Sequence, residues 1–197
     1  MFVRKVITTV FVLLVVGVGS LRAETIVFFR HGEKPTGGYG QLTCQGLNRA
    51  LALPDVLIPR YGRPDYLYAP NPAVKITDQA GSFFYVRPLA TIEPTAIRLG
   101  LSVNTGYGYS DIPGIEGRLI TSSKASSTIF VSWEHIYLQK IVQDIMNKYG
   151  GGVTVPAWTS GDYDSLYIVD LSYPGGTPTA TFRREAQGLD GQSTSCP

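Results

Sequence analysis

The feature that most restricts what this chain can fold into is the run Thr25-Ile26-Val27-Phe28-Phe29, which stops abruptly at Arg30-His31-Gly32. A strand that is apolar at successive positions, and not only at alternate ones, buries both of its faces, and such strands belong to sheets covered by helices on each side. Polar chemistry begins where this strand ends. The rest of the chain repeats the theme. Strands are predicted over 66–69, 127–132, 165–171 and 179–183, and helices over 43–57, 89–99 and 136–149, with Pro54 limiting the first helix to about three turns and Pro94 interrupting the second. Strands alternating with helices imply an α/β fold, a three-layer sandwich with a largely parallel central sheet flanked by helices. Ligands in such folds sit at the carboxyl ends of strands, where Arg30, His31, Glu134 and His135 fall.

The first residues have the layout of an export signal. Arg4 and Lys5 precede an apolar run from Val6 to Val18, and Leu21-Arg22-Ala23 offers a small residue for cleavage. The run is shorter than the roughly 20 apolar residues of a spanning helix, so a cleaved signal over 1–23 is preferred to a permanent anchor. A single domain over 24–197 is expected, secreted or periplasmic, with no stable membrane anchor. The full chain has 17 basic and 15 acidic residues, but Arg4, Lys5 and Arg22 fall within the signal, leaving 14 and 15. A near-neutral domain has no basic stripe to displace counterions from a nucleic acid, so nucleic acid is not an expected partner. An anion site must be built locally from a few arginines. Cys44 and Cys196 are the only cysteines. In an exported chain they are candidates for one disulfide, the alternative being two free thiols, and their spacing gives no support to a metal site. No metal or other cofactor is expected.

His31 and His135 are the only histidines, each just after a predicted buried strand and beside a charged residue. Packing alone explains that placement poorly, and Gly32 would let the backbone turn sharply with the imidazole accessible. Arg49, Arg98 and Arg118 read as surface ion-pair partners and Lys34 as a solvated loop lysine. The glycines of 37–40 and 150–152 read as turns, since no phosphate-loop lysine follows them.

Four successive blocks, FFRHGEKP, LTCQGLNRALALP, VRPLATIEPTAIRLG and FVSWEH, resemble the histidine phosphatase superfamily of phosphoglycerate-mutase-like proteins. The resemblance implies that His31 attacks phosphorus to form a phosphohistidine, which water then hydrolyses. It implies that Arg30, Arg87 and His135, with Gly32, hold the phosphate, and that a small-molecule phosphate ester is the substrate. Glu134 is the favoured proton donor, with a pKa raised by burial near Trp133, although strand alternation would send it and His135 to opposite faces. Glu116 is the runner-up, and Asp111, Glu33 and Glu93 stay open. The expected activity is that of an exported phosphomonoesterase; a phosphomutase and a non-catalytic phosphate-binding protein of the same fold are the alternatives.

Overall fold

The structure, a computed structural model, describes residues 23–197. The predicted signal lies outside the described residues except for Ala23. Among the described residues no helix is long and apolar enough to cross a membrane.

The strands β1 (Glu24–Arg30), β2 (Tyr66–Tyr68), β5 (Val103–Asn104), β6 (Thr128–Trp133), β7 (Ser165–Ser172) and β8 (Thr179–Ala186) form one sheet in the order β5-β2-β6-β1-β7-β8. The ladders among β5, β2, β6 and β1 are parallel, and β7 runs antiparallel to both β1 and β8. Alternation along β1 divides its apolar run between two cores. Val27 and Phe29 pack with Leu53 and Leu57 of α1 (Cys44–Tyr61) and Ile92 of α2 (Arg87–Leu99). Ile26 and Phe28 face the other way, toward Leu119 of α3 (Ile112–Leu119) and Leu138, Ile141 and Ile145 of α4 (His135–Tyr149). This is the expected three-layer sandwich. A separate hairpin, β3 (Lys75–Asp78) with β4 (Gly81–Phe84), stands outside the main sheet.

Two proline expectations are corrected. α1 continues through Pro54 and Pro59 to Tyr61, and α2 continues through Pro94. Each proline removes one intrahelical hydrogen bond, but α1 buries Leu53, Pro54 and Leu57, and α2 buries Ile92 and Ala96 across the same region. Burial at roughly 1.5–3 kcal/mol per large apolar side chain outweighs one lost bond, so packing carries both helices past their breakers.

Cys44 and Cys196 form a disulfide with their Cα atoms 4.6 Å apart. It ties the chain's end to the first turn of α1 across 152 residues. A closure that long is worth up to about 5 kcal/mol in the chain-entropy picture. Asn48 supports the same attachment by donating to the carbonyls of Ser193 and Ser195.

Candidate active site

β1 and β6 are adjacent and parallel, with Arg30 in register with Trp133. The residues that follow, His31 and Glu134-His135, therefore emerge side by side, and the His31 amide donates to the Trp133 carbonyl at 3.2 Å. Arg87, the first residue of α2, comes to the same place. The amino-terminal ends of α2 and α4 both face this region, so two helix dipoles favour negative charge there. The result is a cleft of about 300 Å³ at the carboxyl ends of the strands. Its floor includes Arg30, His31, Arg87, Glu134 and His135.

His31 is buried, and its Nδ1 lies 2.7 Å from the Gly32 carbonyl oxygen. A carbonyl only accepts, so the ring proton resides on Nδ1 and the lone pair of Nε2 is free. Burial, reinforced by Arg30 and Arg87, holds the imidazole well below its usual pKa. It stays neutral where an exposed histidine would be half protonated.

Gly32 is needed for a reason other than the one expected. Its backbone is not left-handed; instead a Cβ there would lie 2.7 Å from the Gly46 carbonyl oxygen, so the turn and α1 touch backbone to backbone. The Gly32 amide donates to Thr91 Oγ1, which itself donates to the Arg87 carbonyl. Gly32 thus ties the Arg30-His31-Gly32 turn to α2, its N–H being spent on Thr91.

The two arginines are partly engaged. Arg87 donates through Nη1 and Nη2 to Asp78 at 2.6 and 3.2 Å, and through Nη1 to the Gly38 carbonyl. Arg30 Nη1 donates to the carbonyls of Ser160 and Asp162, and its guanidinium lies 3.9 Å above the Tyr163 ring. Arg30 Nε, Arg87 Nε and the Tyr85 hydroxyl are buried without a hydrogen-bond partner among the described residues. Tyr85 packs edge-on against His31 at 6.1 Å. Unpaired buried donors are costly unless an acceptor joins them, and here they gather around one imidazole.

Glu134 is neither a strand residue nor a carboxyl with a raised pKa. It caps α4, accepting from the amides of Ile136 and Tyr137 at 2.8 and 3.1 Å, and its Oε1 lies 2.5 Å from His135 Nδ1. Burial by itself would push its pKa up, but His135 and the two capping amides outweigh it and hold the carboxylate below its ordinary value. The cap also supplies the irregular backbone that lets Glu134 and His135 share a site. Glu116 does not reach the cleft. It lies between α3 and α4 beside Asp144, where burial and that neighbouring charge raise its pKa to about 7. Asp111 caps α3, Glu93 is on α2 away from the cleft lining, and Glu33 is paired with Arg49.

Arg49 corrects a further expectation, for it is fully buried and not a surface residue. It binds Glu33 through Nε and Nη2, Asp164 and Gln187 through Nη1, and Asp190 through Nη2. Lys34 also lines the cleft, its Nζ 3.6 Å from Asp78. Asp78 itself escaped the sequence reading. It sits on the hairpin, and although burial would raise its pKa, Arg87, the Gly40 amide and Lys34 together lower it. The available signal was two short β-prone pieces, ITD and SFF, on either side of a Gly81 turn. The 37–40 turn is also part of the site, since Gly40 binds Asp78 and accepts from the amides of Val86 and Arg87.

No family model and no curated protein matches the sequence. Solved structures do match in fold. A structure from Nakamurella multipartitia described as a putative phosphohistidine phosphatase SixA aligns at a TM-score of 0.55 and 14% identity, covering 83% of this chain and 95% of that one. Phosphoglycerate mutase from Plasmodium falciparum aligns at 0.55 and 11%, covering 84% and 91%. A mycobacterial glucosyl-3-phosphoglycerate phosphatase, in complex with inorganic phosphate, aligns at 0.54 and 13%, covering 82% and 95%.

Proposed function

The chain has the fold of the histidine phosphatase superfamily, and on that premise we propose that it is an exported phosphomonoesterase with His31 as nucleophile. The observation that carries this reading is a buried neutral imidazole with a free Nε2, set among unpartnered arginine and tyrosine donors at the junction of two strand ends and two helix amino termini.

In the first step Nε2 of His31 bonds to phosphorus as the ester P–O bond breaks, giving the alcohol and a phosphohistidine. Arg87 and Arg30 neutralise the charge that spreads over the phosphoryl oxygens, and His135 lines the same cleft beside them. Glu134 begins ionised, so a monoanionic ester supplies the proton itself. Phosphate oxygens beside the carboxylate raise its proton affinity, and Glu134 relays the proton to the departing oxygen. In the second step the ionised Glu134 takes a proton from water as that water attacks phosphorus and the P–N bond breaks; Glu134 then passes the proton to the departing phosphate, which restores both His31 and the carboxylate. Export is supported by the predicted signal over 1–23 and by the Cys44–Cys196 disulfide, which suits an oxidising compartment.

Purified protein should release inorganic phosphate from aryl phosphates, and His31→Ala should abolish release while leaving the fold intact by circular dichroism. A phosphohistidine at position 31 should be trapped by quenching without acid. Undiminished turnover in His31→Ala would refute the assignment.

A further inference from the structure

The charge inventory of the cleft, taken with the composition of its mouth, restricts the alcohol half of the substrate; this rests on the phosphatase reading above. Besides Tyr109 and Tyr137, the titratable groups lining the cleft are Arg30, Lys34, Arg87, Asp78, Glu134, His31 and His135. The Lys, Arg, Asp and Glu side chains among them are three cations, Arg30, Lys34 and Arg87, and two carboxylates, Asp78 and Glu134, one net positive charge. Arg87 is held by Asp78, Lys34 lies near the same carboxylate, and Arg30 is tied to the carbonyls of 160 and 162. One phosphate group consumes that surplus, and the cation left over, Lys34, already lies beside the Asp78 carboxylate.

The mouth is built differently from the floor. Ile76 and Thr77 of the hairpin line the same cleft as Tyr109, Ile136 and Tyr137. Tyr109 and Tyr137 meet edge to face at 5.3 Å, and Tyr109 meets the buried Tyr85 in the same manner at 5.4 Å, so an aromatic stack runs from beside His31 to the rim. Ile136 is an exposed isoleucine at this rim. Flat apolar groups pack well against such a wall, whereas a carboxylate there would lose water without gaining a counterion.

We infer that the cleft selects phosphate monoesters whose alcohol is uncharged and flat or apolar, with Tyr109, Tyr137 and Ile76 as the specificity-determining residues. Esters that carry a second anionic group, such as a carboxylate, are excluded. This follows from the juxtaposition of a charge-balanced floor with an aromatic rim.

The test compares benzyl phosphate with phosphoglycolate, both primary alkyl esters, so that leaving-group chemistry does not dominate the difference. The purified wild type should favour benzyl phosphate in kcat/KM by about tenfold or more. Tyr137→Ala should narrow the gap by raising KM for the benzyl ester. Ile76→Lys, which places a cation on the hairpin rim, should narrow it from the other side by lowering KM for phosphoglycolate. Equal or better turnover of phosphoglycolate by the wild type would overturn the inference while leaving the phosphatase reading in place, and this comparison stands even if a variant fails to fold. Absence of turnover of both esters and of every aryl phosphate would remove the catalytic reading and this inference with it.

Discussion

Two clusters of buried arginine lie on either side of the segment His31-Gly32-Glu33, and they are used in opposite ways. Arg49, behind the segment, is closed: Glu33, Asp164, Asp190 and Gln187 engage all three of its nitrogens. Arg30 and Arg87, in front of it, are open. Each spends its terminal nitrogens on protein acceptors but keeps a buried Nε without a partner. A saturated cluster holds structure, because every donor already has its acceptor. An unsaturated cluster keeps capacity for an anion and bears the cost of desolvation until one arrives. The same residue type thus builds scaffold or site according to the carboxylates around it. Glu33 connects the two, since it anchors the Arg30-His31-Gly32 turn to the closed cluster two residues beyond His31.

The sharpest way to break this comparison is to change the open cluster alone. Arg87→Lys keeps the charge but loses the planar fork, so kcat should fall about 10²- to 10³-fold while thermal stability changes little. Phosphate-release kinetics beside a melting curve measure both, and full activity in the lysine variant would show that the fork is not used. Next in size is the closed cluster. Arg49→Met leaves Glu33 and Asp164 without their cation, and because both are partly open to solvent the cost should lie near the low end of the buried-pair range, about 3 kcal/mol. Denaturant unfolding measures it. A loss of activity without a loss of stability would place Arg49 in the open cluster after all.

The smallest effect concerns pH. The pKa of His31 is depressed, so the folded protein leaves the imidazole neutral below 6.5 while the unfolded chain takes up a proton. The unfolded state then binds more protons, so this contribution to stability is present above pH 6.5 and is lost as the pH falls below it. His31→Ala should flatten that part of the stability profile. Activity should show the complementary behaviour. As pH drops through 6.5, kcat/KM should hold, because the nucleophile remains unprotonated. A fall in kcat/KM centred on 6.5 would mean that the imidazole is not shielded.

How much of this was legible beforehand differs from residue to residue. The apolar run of β1 announced a strand buried on both faces, because side-chain alternation and hydrophobic burial are local in their logic. His31, Glu134 and His135 could be placed at strand ends on the same grounds. Pro54 and Pro94 misled, because a local cost of one hydrogen bond is visible in sequence while the tertiary burial that offsets it is not. Asp78 was overlooked because its role depends on a hairpin outside the main sheet folding back to meet Arg87. Arg49 was misplaced for a related reason: its carboxylate partners come from positions 33, 164 and 190, and no spacing rule joins them.

The sequence by itself therefore determined the layered α/β architecture, the position of the Arg30-His31-Gly32 turn at the end of a central strand, and the arrival of Glu134 and His135 at the end of another. Periodicity and the apolar cost of exposure act along the chain. Only the tertiary structure decided that β1 and β6 are parallel neighbours in a register that brings those ends together, that Gly32 is required by contact with Gly46, that Glu134 is an ionised helix cap, and that Arg49 is closed where Arg87 is open. Those outcomes depend on distances between groups remote in sequence, and charge pairing and close packing are settled by such distances.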